Sequence, residues 1–496
     1  MTFLSKKKGM IVAAALVVVC MSVPALISSV DVSADVATGS IGSNLMWIAD
    51  SESGTITISG NGPMVDGIIR LPANVLITYP YLIVEEGVTS IGALAFTSTM
   101  GKGIRFVTFP STLERIERDA FKDCNVQELN VPPNVTYIHP GAFYNCPITA
   151  VTVDENNNVY TSRSGVMFTK NMMEIVHYPA KKVGRQYTIP EGVRTIGEYA
   201  FVGNMLYEVT IPNTVDYISD WAFNNCNDML NLTIPDSVIH LGYGSIGYCR
   251  NLSKLVIGDG ITNITMDMVP SIFESVKTLH LGKGVVSIDK EFRRGLALMS
   301  ITVDQENPNL SSVSGVLYNK GATEIVLIPP KLTGKFVMPN SVRYVGSYVF
   351  QYSGITSVVL SENLQAIGSQ AFYKNDTISS MKIPKSVKTI GDRAFADCTK
   401  MVTVYFESTV PPSMGNDAFA VKNVRNTELR VYSSIPNGFL DNYVGTNSVA
   451  YYDSDAKVSE IDEIAANPLY IVALAVASMI GLVLAEIFIS RKQKQQ

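Results

Sequence analysis

The sequence predicts a β-rich solenoid, a stack of short repeated coils in which each coil contacts only its neighbours. Three observations predict it. A nine-residue phrase recurs along the middle of the chain, most copies lead into a short strand-like run that ends at Pro, and one copy has too few apolar residues to form a core alone. With 47% hydrophobic and 17% charged residues, the chain has the composition of a folded protein.

Residues 1–34 have the pattern of a secretory signal peptide. Three lysines, Lys6, Lys7 and Lys8, precede a long apolar stretch, and small residues end at Ala34, after which we expect cleavage. An uncleaved signal anchor is the alternative, because the apolar stretch is long. Residues 35–87 are expected to form an N-terminal β cap.

The repeated phrase begins as VTSIGALAF at Val88 and recurs, for example, as VRTIGEYAF at Val193 and VKTIGDRAF at Val387. About eleven starts can be recognised, most of them 22 to 25 residues apart, a period within the range of leucine-rich repeats. Strands stacked about 4.8 Å apart would form a parallel β ladder, with the Ala-Phe pairs in a column behind it. We therefore predict a β-rich leucine-rich repeat solenoid of about eleven units over residues 88–406.

Two long intervals between copies resemble each other. VDENNNVYTSRSGVMF begins at Val153 and VDQENPNLSSVSGVLY begins at Val303, and alternating runs around a Gly-containing turn predict two inserted hairpins. Most of the hairpin aromatics are expected to pack in the core, although exposed loops on a rigid scaffold often bind ligands. These aromatics are Tyr160, Phe168, Tyr178 and Tyr318.

The C-terminal part predicts a membrane anchor. After a C-terminal cap over residues 407–452 comes an acidic juxtamembrane linker, 453–467, and then an apolar stretch, 468–490, long enough for one transmembrane helix. The tail, 491–496, is basic, which favours a cytoplasmic C-terminus and an extracellular repeat region. The expected localisation is the cell membrane, in a single-pass topology.

The unit V-x-x-I-x-x-x-A-F-x-x-C-x-x-L-x-x-V-x-I-P, the two insertions and the SNLMWIADSESGTITISGNGPM segment at Ser43 resemble BspA-like leucine-rich repeat surface proteins. The resemblance covers about residues 43–445. It implies a curved solenoid on the cell surface that adheres to host matrix proteins, host cells or other microbes. It also implies that ELRVYSSIPNGFLDNY near Leu429 forms a closing strand and helix.

Five cysteines, Cys124, Cys146, Cys226, Cys249 and Cys398, share one phase of the repeat, which predicts the same buried environment for each thiol. Disulfides between the adjacent-unit pairs, Cys124 with Cys146 and Cys226 with Cys249, are the alternative. No CxxC motif occurs, and the four histidines lie at different phases, so we predict no metal site, catalytic set or cofactor. GYGSIG at Gly242 fits a dinucleotide motif, but it occupies the slot of the repeated phrase.

The ladder strands predict a binding surface. Residues beside each inward pair should point to an open concave face, where Ser and Thr are frequent; a preference of Thr for exposed strands explains them equally well. The candidate ligand-binding residues are Glu128, Asn130, Thr152, Glu208, Thr210, Asn231, Thr233, Lys254, Thr278, His280, Thr302, Lys382 and Tyr405.

The leading hypothesis is a membrane-anchored surface protein that binds an extracellular protein or glycan without catalysis, as an adhesin. A structural component of the cell envelope, which needs only self-association, is the alternative, and an enzyme is the third. Nucleic acid is excluded as a partner because the chain has a net charge of −5 and no basic surplus.

Overall fold

The computed structural model describes residues 36–69, 79–97, 102–271, 274–294, 297–421, 428–445 and 448–453. These residues form two compact units. Unit 1 runs to Val183 and also includes Ile196–Asn204, whereas unit 2 comprises Gly184–Thr195 and the chain from Met205 onward. Each unit is built from β-solenoid coils, and almost no helix is present among the described residues.

Short strands dominate both units. The strands up to the end of the first insertion are β1 Val36–Ile41, β2 Leu45–Asp50, β3 Thr55–Gly60, β4 Gly62–Pro63, β5 Tyr81–Val84, β6 Val88–Ile91, β7 Phe106–Thr108, β8 Arg115–Ile116, β9 Glu128–Val131, β10 Tyr137–Ile138, β11 Ala150–Val153, β12 Tyr160–Arg163, β13 Val166–Thr169 and β14 Glu174–His177. The strands up to the second long interval are β15 Gln186–Thr188, β16 Thr195–Ile196, β17 Glu208–Thr210, β18 Tyr217–Ile218, β19 Asn231–Ile234, β20 His240–Leu241, β21 Lys254–Ile257, β22 Asn263–Ile264, β23 Thr278–Leu281, β24 Ser287–Ile288 and β25 Ser300–Val303.

A 3-10 helix, Lys290–Arg294, precedes β25. The remaining strands are β26 Leu310–Val313, β27 Val316–Asn319, β28 Glu324–Leu327, β29 Thr333–Val337, β30 Tyr344–Val345, β31 Gly354–Val359, β32 Ala366–Ile367, β33 Ser380–Ile383, β34 Thr389–Ile390, β35 Thr403–Phe406, β36 Ser413–Met414, β37 Glu428–Ser433 and β38 Ser448–Tyr452.

The predicted parallel ladder is present. In unit 2, β19, β21, β23 and β25 pair in parallel and in register, so that Leu232, Leu255, Leu279 and Ile301 are neighbours and all point into the core. A second series of two-residue strands carries the Ile, or in one copy the Val, of the repeated phrase, as in β32, β34 and β30. The two series enclose the core because every second ladder residue and every phrase Ile face inward.

The described residues of the two units form about 16 solenoid turns, so the prediction of about eleven units is wrong. The phrase search misses turns whose core residues differ from the pattern. One lies after the last recognised phrase, where Met414 pairs beside Ile390 and Phe419 stacks on Phe395. Others lie before the first phrase, where β3 pairs in parallel with β5, and within the two insertions.

The Phe residues of the phrase form the predicted column. In unit 2 the rings of Phe350, Phe372, Phe395 and Phe419 stack with centroid separations of 4.3, 4.8 and 4.8 Å. These separations match the strand spacing of about 4.8 Å, because each ring belongs to the next turn. The Ala before each of the last three rings is also buried, which allows successive turns to approach closely.

The insertions are three-stranded meanders, and their last strand belongs to the solenoid. In the second copy β26, β27 and β28 pair antiparallel, and β28 then pairs in parallel with β30. Ile325 and Ile328 take the buried positions of the phrase Ile and Phe. In the first copy Ile175 and Tyr178 do the same, and Tyr178 stacks on Phe201 at 5.1 Å. The prediction of two inserted hairpins is therefore only partly right.

The ends of the described chain differ from expectation in one feature. At the N-terminal end β1, β2 and β3 form an antiparallel sheet, as expected of a β cap. Near the C-terminal end β37 is the expected closing strand, but residues 437–443 form turns where the resemblance implies a helix. The predicted signal peptide and transmembrane helix lie outside the described residues, and within those residues we find no helix suited to crossing a bilayer.

The first meander contains a histidine that should make stability depend on pH. His177 is only partly exposed, its Nε2 is buried without a hydrogen-bond partner among the described residues, and burial lowers its pKa from 6.5 to about 4. Below pH 6.5 the unfolded chain binds a proton that the folded chain does not, so stability present at neutral pH is lost as the pH falls towards 4. The loss should reach about 2–3 kcal/mol.

The second meander supplies the matched control, since Leu327 lies where the first has His177. We expect His177→Leu to remove this pH dependence and Leu327→His to introduce it in unit 2. Urea unfolding of both variants at pH 7, 5 and 4 measures the effect. An unchanged difference between pH 7 and pH 4 in His177→Leu would contradict the assignment.

Candidate ligand-binding face

The candidate face consists of the outward residues of the ladder strands, and we call it the ladder face. In unit 1 it includes Glu128, Asn130 and Thr152, three of the predicted residues, all exposed. β9 and β11 pair in register, which places Asn130 directly beside Thr152. The residues that immediately precede these two in sequence, Leu129 and Val151, are buried.

The predicted residues of unit 2 lie on three groups of paired strands. In the four-strand group, Asn231, Lys254 and Thr278 form one row of neighbours. A second row runs through Thr233, Val256, His280 and Thr302. The other groups carry the remaining predicted residues, which are Glu208 and Thr210 on β17 and Lys382 and Tyr405 on β33 and β35.

Several ladder-face side chains bind one another across adjacent turns. The Nε2 of Gln186 donates to Oε2 of Glu208 at 2.9 Å, and Nδ1 of His280 lies 2.9 Å from Oγ1 of Thr302. Lys382 forms a salt bridge of 2.7 Å with Glu407. A ligand at these positions must therefore displace existing interactions, which reduces the gain from binding there.

Two aromatic groups lie on the ladder face, and of their five residues the sequence analysis predicted Tyr405 alone. In unit 1 the rings of Tyr81 and Phe106 stack at 5.5 Å and are 47% and 42% exposed. In unit 2 Tyr405 stacks on Tyr432 at 4.7 Å, and Tyr432 stacks on Tyr452 at 5.0 Å. The strands YLIV and ELRVYS bury every second residue, which places Tyr81 and Tyr432 on the outward side.

The meander aromatics do not form a second binding surface. Tyr160, Phe168, Tyr178 and Tyr318 are all buried, so the predicted core role is confirmed. The hydroxyl of Tyr160 accepts a hydrogen bond of 3.2 Å from the backbone N–H of Ile138. Burial raises the pKa of Tyr178 to about 12.

The five repeat cysteines are buried free thiols, as predicted, and neither alternative disulfide is formed. Four of them share one contact: the Sγ of Cys124, Cys146, Cys249 and Cys398 lies 3.0–3.2 Å from the carbonyl oxygen of the repeat residue in the Phe position one turn earlier. Burial raises the pKa of Cys146 and Cys398 to about 12. These two thiols are therefore protonated and poor nucleophiles at neutral pH.

The burial of these thiols predicts that they are inert in the folded protein. In a Cys20→Ser background, we expect no reaction with a thiol-specific aromatic disulfide reagent at pH 8, and reaction of all five thiols after unfolding in urea without reductant. The released chromophore gives the count. Fewer than five reactive thiols in urea would indicate a disulfide.

No group of three or more His, Cys, Asp or Glu side chains among the described residues could hold a metal ion. GYGSIG follows β20 and leads into turns, and a Cβ at Gly242 would lie 2.5 Å from the backbone N of Asp220. The glycine is therefore required by contact between turns, in agreement with the interpretation of this motif as a repeat segment.

Comparison with solved structures finds leucine-rich repeat proteins. One from Eubacterium ventriosum is 20% identical, with 71% of this chain and 92% of that chain covered and a TM-score of 0.35. One from Bacteroides ovatus is 18% identical, with coverages of 83% and 99% and a TM-score of 0.38. A leucine rich cell surface protein from Faecalibacterium prausnitzii is 18% identical, with coverages of 85% and 99% and a TM-score of 0.35.

No curated protein matches the sequence. A family model does: the BspA type Leucine rich repeat region, in six copies, matches residues 89–181, 181–295 and 331–442, which together make up more than half of the chain. These ranges contain the repeated phrase, the Phe column and most of the ladder face. The chain therefore belongs to the family of proteins with the BspA type leucine-rich repeat region.

Proposed function

We propose that this protein is a membrane-anchored adhesin that binds extracellular macromolecules through the ladder face, without catalysis. The family consists of bacterial surface proteins that could bind ligands. The observation that carries the proposal is the alternation of the ladder strands, which buries one set of side chains and exposes the other in regular rows. Repeat proteins commonly bind large partners through such extended surfaces.

The membrane anchor in this proposal is inferred from the sequence alone. The stretch at 468–490 would cross the membrane once, the basic tail would remain in the cytoplasm, and the signal at 1–34 would direct the repeats outward. Protease added to intact cells should then degrade the repeat region and spare the tail. A repeat region that survives in intact cells but is cleaved after lysis would contradict this orientation.

Adhesion is tested with the full chain displayed on a non-adherent bacterial host. We expect retention on at least one immobilised surface among matrix proteins, cell-wall polysaccharides and intact cells. Thr233→Arg with Thr302→Arg adds bulk and charge to the ladder face and should abolish retention. Asn263→Arg with Ser287→Arg adds the same groups to exposed positions of the second strand series and should not.

Measurements on the purified chain, together with the retention assay, distinguish the alternative functions. Lateral assembly of the purified chain without any foreign ligand would favour a structural component of the envelope. Turnover of a glycan or peptide by the purified chain would favour an enzyme. Equal retention of both double variants would exclude the ladder face as the binding surface.

A further inference from the structure

A cleft of about 370 Å³ opens on the ladder face of unit 1. Thr108, Asn130 and Thr152, on three successive turns, line it, and Val107 and Val131 lie beside them. Its volume lies within the range of small-molecule and cofactor sites. Successive strands are about 4.8 Å apart, so the three polar side chains span roughly 10 Å.

The polar groups of these three side chains are available. All three residues are exposed, and none of the three side chains forms a hydrogen bond with another described residue. A Thr hydroxyl and an Asn amide each donate and accept, so the row offers both kinds of hydrogen bond. By contrast, the neighbouring Ser111 hydroxyl already donates to Glu86 at 3.0 Å.

The charge around the cleft is negative. Asp154 lines it, whereas no Lys or Arg is found among the described residues that do. Glu86 lies next to it through Ser111, whose backbone N–H donates to the carboxylate and lowers its pKa. A polyanion would therefore be repelled, and the available groups suit a ligand that is neutral and rich in hydroxyl groups.

The exposed ring pair lies beside this polar row. Ile83 is paired in register with Thr108, and Tyr81 is paired with Phe106 in the parallel row of the same strands. Aromatic surface next to unpaired hydroxyl and amide groups matches a sugar chain, because each sugar ring has apolar C–H surface and a polar hydroxyl rim.

We propose that this cleft and the adjacent Tyr81–Phe106 pair bind a neutral glycan chain. The proposal rests on the ladder face being the binding surface. Asn130 and Thr152 donate hydrogen bonds to, and accept them from, neighbouring hydroxyl groups of one sugar, and Asp154 accepts a hydrogen bond from a further hydroxyl. The Tyr81–Phe106 pair contacts the apolar surface of the next sugar. The specificity is for uncharged polysaccharide over acidic polysaccharide.

The test uses the full-length chain in detergent solution and immobilised mannan, laminarin and dextran, with heparin and polylysine as charged probes. We expect retention on at least one neutral glycan and none on heparin. Asn130→Ala with Thr152→Ala, and separately Phe106→Ala, should each weaken that retention about tenfold or more. Asn263→Ala with Ser287→Ala removes exposed side chains of the second strand series, outside the ladder face, and should leave it unchanged.

Three results would contradict the proposal that this cleft binds a neutral glycan. Retention on none of the neutral glycans, stronger retention on heparin or polylysine, or an equal loss in both double variants would each do so. If the displayed chain still adheres to a matrix protein and Asn130→Ala with Thr152→Ala abolishes that adhesion, the partner is a protein: the ladder-face function stands and the glycan assignment fails. If no surface retains the chain, both fail.

Discussion

Replacement of Phe372 by Ala is expected to destabilise unit 2 by about 3–5 kcal/mol. The ring is fully buried and stacks between Phe350 at 4.3 Å and Phe395 at 4.8 Å. Its removal exposes a face of each neighbouring ring to a cavity, and the one-turn spacing of the backbone limits collapse into that cavity. Both the apolar transfer free energy and the packing contacts are therefore lost.

Phe106→Ala is the control for this prediction, because Phe106 stacks on one aromatic neighbour, Tyr81, but is 42% exposed. It should cost less than about 1 kcal/mol. Urea denaturation gives the free energy of unfolding of each variant, and hydrogen exchange of peptides from 342–421 shows whether the loss is local to the column. Similar costs for the two variants would mean that the column does not carry the packing of unit 2.

The fold could be predicted from the sequence wherever the same residue type returns at the same phase. Ala371 and Phe372 recur as Ala394 and Phe395, and identical phase implies identical environment in a stack. The number of turns could not be predicted in this way. Met414 and Tyr178 occupy the phrase positions of Ile and Phe with residues of different shape, and only the pairing and stacking of their turns reveal them.

The candidate site was predictable as a face but not as a cleft. Alternation within a strand shows which side chains point outward, and Asn130 and Thr152 were identified in this way. Whether an outward side chain is free depends on its neighbours in adjacent turns. His280 meets Thr302, whereas Asn130 forms no side-chain hydrogen bond with the described residues, and strand periodicity does not distinguish the two.

Replacement of Asn307 by Ala is expected to cost about 3 kcal/mol or more, because one fully buried amide satisfies four backbone groups. Its Nδ2 donates to the carbonyl oxygens of Gly282 and Val285, both at 2.8 Å. Its Oδ1 accepts from the backbone N–H groups of Asn309 and Leu310, both at 2.8 Å. Alanine leaves these groups buried and unpaired at the start of the second meander.

Asn157 makes the same four contacts in the first meander, which explains why both insertions carry Asn at this position. Asn307→Asp separates the donor and acceptor roles. It retains the acceptor but turns a carboxylate towards two carbonyl oxygens, so its folded-state pKa should rise and its loss of stability should be larger at pH 7 than at pH 4.

The exposed Asn309 is the control for both variants, since Asn309→Ala removes the same side chain outside the core and should change the free energy of unfolding by less than about 0.5 kcal/mol. Urea denaturation at pH 7 and pH 4 measures all three variants. If Asn307→Asp is as stable as the unmodified chain at both pH values, the two carbonyl contacts contribute little. The amide then stabilises the turn mainly through its oxygen.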